Sequence, residues 1–196
     1  MASPASTLNP GRTLAGCARA ATAAESRHRI DRPIVAARAA RVIALDDAAA
    51  SAASRIADLP WAHARFYLCE PAEDDAFAFR LREIGGPSFA VPGELTGTDV
   101  VVLVAGGFGG ADGSEHESGV GPGTGTADYA AAIGRVCAQR SIMTAGVVLA
   151  SGRGAEPDAK ADAAADAVAA LRPYARVLLP TADESDLVEL LTALRV

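Results

Sequence analysis

The stretch Asp99–Gly110, with the sequence DVVVLVAGGFGG, gives a strong indication of the fold of this chain. Its first half is an apolar run rich in valine, and its second half is rich in glycine. A short apolar run bounded by a turn signal is typical of a strand that is buried on both faces of a parallel sheet. We therefore predict a central strand over Asp99–Ala105 that ends in the turn Gly106–Gly110.

Short apolar runs alternate with helical patterns on both sides of this strand. The pattern predicts further strands over 41–45, 65–69, 142–150 and 176–179, and helices over 48–59, 73–84, 126–140, 157–174 and 184–194. Such alternation is typical of βαβ units. It predicts an α/β fold, namely a Rossmann-like, doubly wound three-layer sandwich with a mainly parallel sheet of about five strands. Val100–Val104 and Thr144–Val148 are expected to be central, parallel neighbours.

Length and charge limit the classes of protein to consider. The 196 residues carry a net charge of −6, and this length suffices for one domain with a core. Residues 1–32 are predicted to form an irregular basic arm, and 33–196 the α/β domain. An acidic balance argues against nucleic-acid binding, and no apolar run approaches the roughly 18 residues that span a membrane. Cys69 and Cys137 fall in apolar patterns, so we expect buried free thiols and a cytoplasmic location.

A second glycine-rich stretch, Gly121–Ala127, precedes the helical pattern Asp128–Arg140 and reads GPGTGTA. A glycine-rich turn that enters a helix presents free backbone N–H groups and the positive end of the helix dipole, which together can hold a phosphate. The same glycines are equally compatible with a flexible connector that only permits tight turns.

Several stretches resemble, in the same order, the tubulin/FtsZ family of GTPases. Gly121–Ala127 is similar to the family's phosphate loop, Val102–Gly110 to the strand and turn before it, and Ile142–Val148 to the strand after it. Asp166–Leu179 and Pro180–Asp183 are similar to a later helix, strand and turn. The resemblance implies a site for GTP or GDP with Mg²⁺, formed by Gly106, Gly107, Gly109, Gly110, Gly123, Thr124, Gly125 and Thr126.

The chain also departs from the family in two respects. Ala44–Ala49 reads ALDDAA where the family has its first glycine-rich loop, and the carboxylates of Asp46 and Asp47 would repel a triphosphate unless a cation lay between them. The chain ends at Val196, whereas the family continues into a second domain that completes the GTPase site of the neighbouring subunit. We therefore expect no self-activated GTPase activity.

Other chemistry-bearing residues give weaker signals. The insertion 111–120 holds four residues of metal-ligating types that could bind a divalent cation, although a solvated acidic loop is commoner; they are Asp112, Glu115, His116 and Glu117. Ser114 and Ser118 lack the Gly-x-Ser-x-Gly pattern of a hydrolase nucleophile. No metal site and no catalytic residue are assigned.

Two function classes remain open. In the favoured one, the protein is a non-catalytic, FtsZ-like binding or scaffold protein or accessory subunit. It binds no cofactor and uses the arm or an exposed sheet edge to dock a protein partner or a second copy. In the alternative, it binds GTP, GDP or another phosphate ligand as a weak or switch-type GTPase. An unrelated Rossmann-like enzyme is a third class, for which the sequence offers no nucleophile or base.

Overall fold

The computed structural model describes residues 36–71, 79–106, 124–149 and 157–196. In chain order these residues form β1 (Ala40–Ala44), α1 (Asp47–Ala57), β2 (Ala64–Pro71), β3 (Phe79–Glu83), β4 (Ser88–Phe89), α2 (Val91–Glu94), β5 (Val100–Gly106), α3 (Thr124–Gln139), β6 (Met143–Leu149), α4 (Pro157–Leu171), β7 (Val177–Ala182) and α5 (Glu184–Leu194). The predicted arm, residues 1–32, lies outside the described residues.

The strands form one sheet in the order β4-β3-β2-β1-β5-β6-β7. The pairs β2–β1, β1–β5, β5–β6 and β6–β7 are parallel, whereas β3 and β4 are antiparallel to their neighbours. Val100 pairs with Met143 and Val104 with Val147. The α/β class and the parallel pairing of the two central runs are therefore confirmed, and the sheet is mixed.

The prediction of a helix over 73–84 is wrong for its second half, because Phe79–Glu83 form a strand. Phe79 and Leu81 are buried while Arg80 between them is exposed, and this alternation is the period of a strand. The partner that stabilises it is β2, whose Cys69 lies opposite Leu81. The sequence analysis also predicts neither the short strand β4 nor the short helix α2. With β3 and β4, the described residues form seven strands instead of about five.

The two faces of the sheet are covered by different helices. Ile43 and Leu103 belong to a core cluster that includes residues of α2, α3 and α4. Val42 and Val102, their neighbours along the same strands, belong to a cluster that includes residues of α1 and α5. Because successive side chains of a strand point to opposite faces, β1 and β5 must be apolar at nearly every position, and this is why they read as continuous apolar runs.

Candidate functional site

The candidate site lies where β1 and β5 end side by side. In the strand order, the chain moves from β1 outward to its neighbour β2, and from β5 outward in the opposite direction to its neighbour β6. The connections therefore diverge at this pair of strands. In open α/β sheets, the crevice at the carboxyl ends of such a pair is the usual place for a ligand.

Asp46 occupies the end of β1 and caps α1. Its backbone is extended, with φ −149°, and its Oδ1 accepts a hydrogen bond of 2.8 Å from the backbone N–H of Ala49. Its Oδ2 accepts a second bond of 2.8 Å from the backbone N–H of Gly106, at the end of β5. One carboxylate thus satisfies a donor in the first turn of α1 and a donor at the end of β5.

Gly106 is required by the closeness of α1. A Cβ atom added at this position would lie 2.4 Å from the Cβ of Ala48 and 2.9 Å from Oδ1 of Asp46. Both distances are shorter than van der Waals contact, so any side chain would push β5 away from α1. The first glycine of the GGFGG stretch is therefore explained by packing against α1, without any ligand.

Burial raises the pKa of the Asp46 carboxyl above its ordinary value. The hydrogen bonds from Ala49 and Gly106 act in the opposite direction, because they stabilise the charged form. The negative charge of Asp47, in the first turn of α1, raises the pKa further. We call the place where Asp46 and Gly106 meet, at the ends of β1 and β5, the corner. It holds a half-buried acid whose two oxygens already accept hydrogen bonds from backbone N–H groups.

The first turn of α3 lies beside the same corner. Thr126 is buried, and its hydroxyl donates a long hydrogen bond of 3.5 Å to the carbonyl oxygen of Leu45. A Cβ added at Gly125 would lie 3.6 Å from the ring of Tyr129, an ordinary contact. The predicted phosphate ligand Thr126 thus contacts the backbone at the end of β1.

The eight predicted site residues divide into two groups. Gly106, Gly125 and Thr126 are described above, and Thr124 is the first residue of α3. Gly107, Gly109, Gly110 and Gly123 lie outside the described residues, as does the whole acidic insertion 111–120. An aspartate before an alanine-rich helix is a favourable N-cap, and Asp46 occupies that position at α1. Its bond to Gly106 was missed, since no local pattern shows which strand will lie beside the cap.

A buried polar cluster lies on the α2 side of the sheet. Nε of Arg41 is 3.2 Å from Oε1 of Glu94, and both side chains are nearly buried. The Tyr67 hydroxyl donates to the same oxygen of Glu94. Burial, together with this bond, raises the pKa of Tyr67. The cluster joins β1, β2 and α2, and every one of its three members has a partner, so it serves as internal support.

The thiols of Cys69 and Cys137 are free and buried, as predicted. Burial raises the pKa of both, so neither is a reactive nucleophile. Cys17 lies outside the described residues.

A cavity of about 360 Å³ lies near the amino ends of β6 and β7, at the opposite end of the strands from Asp46. It is lined by the end of α3, the start of β6 and the connection from α4 to β7. Its lining includes Ser141, Thr144, Tyr174 and Arg176, but no carboxylate, imidazole or thiol among the described residues. It therefore lacks an acid–base pair, and it is separate from Asp46 and Gly106. In the described part of the chain, no group of three or more His, Cys, Asp or Glu side chains could hold a metal ion.

No protein-family model matches the chain, and no curated protein matches it. Within the described ranges, no helix has the length and apolar character that crossing a bilayer demands.

Proposed function

We propose that this protein is a non-catalytic, FtsZ-like binding or scaffold subunit that docks a protein partner. In this proposal its α/β domain is a Rossmann-like, doubly wound relative of the tubulin/FtsZ nucleotide-binding domain. The observation that carries the proposal is the position of Asp46, whose carboxylate accepts hydrogen bonds from Ala49 and Gly106 where that family has a glycine-rich loop.

The electrostatics of this position support the proposal. A phosphate bound at the ends of β1 and β5 needs free N–H donors and a positive or neutral surface. Here the N–H groups of Ala49 and Gly106 already donate to a carboxylate, and Asp47 adds a second acidic group next to it. Like charges at such short range repel, so the carboxylates disfavour a triphosphate.

The alternative function, binding of GTP or GDP with Mg²⁺ and weak or switch-type GTPase activity, is favoured by one observation. The first turn of α3 lies against the end of β1 through Thr126 and Leu45. The N-terminus of α3, which begins within the GPGTGTA stretch, is thus near the carboxyl ends of the parallel strands, where nucleotides bind in related folds.

Calorimetric titration of the purified chain with GDP and GTP, each with Mg²⁺, distinguishes the two functions. We expect no binding tighter than about 1 mM and phosphate release equal to a buffer blank at every protein concentration. The variant Gly125→Val should give the same flat titration as the wild type. A micromolar isotherm in the wild type that disappears in Gly125→Val would overturn the proposal in favour of nucleotide binding.

A further inference from the structure

Strand β7 forms an apolar edge of the sheet. It pairs with β6 on one side, and no strand of the described ranges lies on its other side. Val177 is 48% exposed, a high value for a large apolar side chain, and Leu178 and Leu179 are partly exposed. An open strand of this kind offers unpaired backbone groups and apolar side chains to another strand.

This edge is held firmly in place. Leu178 packs so closely over β6 that a Cβ added at Gly146 would lie 2.7 Å from its Cδ1. The backbone N–H of Arg176 donates to the carbonyl oxygen of Thr144 at 2.8 Å. Because the strand is already ordered, a partner strand would not have to order it on binding, which lowers the entropic cost of association.

The two ends of the edge carry opposite charges. Arg172 and Arg176, both exposed, precede the strand. Asp183 and Asp186, also exposed, follow it at the start of α5. The Ser185 hydroxyl and the backbone N–H of Asp186 lower the pKa of Asp183, which keeps it negatively charged at neutral pH.

We infer that a second copy of this chain docks on β7 in antiparallel orientation, which joins the two sheets into one. A two-fold axis near Leu179 places Arg176 of each copy beside Ala182 and Asp183 of the other. The basic start of one strand then faces the acidic end of its copy. The strand itself, VLLPTA, carries no charge, so no like charges meet at the axis, and apolar side chains lie opposite one another.

The opposite charges at the two ends favour a second copy in this orientation over other arrangements. A parallel copy would put arginine beside arginine, and it could not close a symmetric dimer, whereas a two-fold interface must be complementary to itself. Pro180 cannot donate a backbone hydrogen bond, so the pairing relies on the N–H groups of the other residues of β7. The inference rests on the proposed function, since it identifies the docked partner as the protein itself.

Sedimentation equilibrium of the full chain tests the inference. The 19.8 kDa chain is expected to form a dimer whose dissociation constant rises with salt, because exposed charges are screened. Val177→Asp and Arg176→Glu, which each place a negative charge beside Asp183 of the second copy, should weaken the dimer at least tenfold. Leu59→Asp is the matched control, because Leu59 is 44% exposed but lies after α1, and it should leave the dimer unchanged.

Circular dichroism of each variant shows whether it keeps the wild-type fold, so that lost association is not mistaken for unfolding. A wild type that stays monomeric at about 100 μM, a concentration at which even a weak dimer is populated, would overturn the inference. So would a dimer that Val177→Asp and Arg176→Glu leave intact. Sedimentation reports on the dimer and calorimetry on nucleotide binding, so failure of this inference and failure of the proposed function are separate observations.

Discussion

Helices α1 and α5 begin in the same way, with an aspartate at the N-cap, but the two caps have different surroundings. The Asp183 carboxylate accepts a hydrogen bond of 3.0 Å from the backbone N–H of Asp186, and the backbone N–H of Asp183 donates one of 2.8 Å to the Asp186 carboxylate. This cap is exposed and involves only neighbours in the chain. Asp46 also bonds Gly106, which is 60 residues away. The same residue type therefore stabilises one helix at α5, but joins a helix to a second strand at α1.

The position of each cap in the sheet explains the difference. Asp46 follows an interior strand, so the end of β5 is beside it. Asp183 follows the edge strand β7, beyond which no strand of the described residues lies. A capping aspartate that follows an interior strand can accept a hydrogen bond from the backbone of a neighbouring strand. One that follows an edge strand faces solvent on that side. The first arrangement closes the corner at β1 and β5, and the second leaves the end of β7 charged and accessible.

Among these variants, we expect Gly106→Val to lower the free energy of unfolding most. It tests how closely β5 packs against α1 at the corner. The new side chain would overlap Ala48 and displace Asp46, so we expect a loss of about 3 kcal/mol in the free energy of unfolding, measured by urea denaturation. Gly125→Ala is the control, because its Cβ would have ordinary contact distances of 3.6 Å to Tyr129. Equal stability of Gly106→Val and the wild type would show that the corner is loose.

An intermediate effect is expected when each cap is removed. Asp46→Ala eliminates the helix cap and leaves the N–H of Gly106 without its acceptor, so we expect a loss of about 2 kcal/mol in the free energy of unfolding. Asp183→Ala removes an exposed, local cap and should cost less than half as much in the same urea experiment. Equal losses for the two variants would contradict the difference between the caps.

The smallest effect is expected in the pH dependence of stability, and its sign should differ between the caps. The folded-state pKa of Asp46 is raised by burial, so its contribution to stability is greatest below about pH 4 and declines as the pH rises. The folded-state pKa of Asp183 is lowered by its hydrogen bonds from Ser185 and Asp186. Its contribution is therefore present above about pH 4 and is lost as the pH falls.

Denaturation of the wild type, Asp46→Asn and Asp183→Asn at several pH values measures these slopes. The stability difference between the wild type and Asp46→Asn should fall with rising pH, and the difference between the wild type and Asp183→Asn should increase. Slopes of the same sign would show that burial does not govern Asp46.

The candidate site was predictable only in part. Two parts of the site have signals in the local sequence. The strand after Asp99 is an apolar run, and the cap at Asp46 is an aspartate before an alanine-rich helix. The role of Thr126 as a phosphate ligand stays a prediction, and the contact of its hydroxyl with Leu45, a residue 81 positions earlier, had no signal in the sequence. Such a contact depends on how α3 packs against the end of β1, and no spacing within the chain reveals it.

The α/β alternation is visible in the sequence alone. The spacing of apolar residues and the positions of capping aspartates are local signals that extend over only a few residues. The predicted helix over 184–194 matches α5 (Glu184–Leu194) for this reason. Three features depend on packing in three dimensions: the strand at Phe79–Glu83, the hydrogen bond between Asp46 and Gly106, and the edge position of β7. Each of these depends on a partner distant in sequence or on the absence of a neighbouring strand in the described sheet. The free energy of such contacts comes from burial and pairing in three dimensions, not from local propensity.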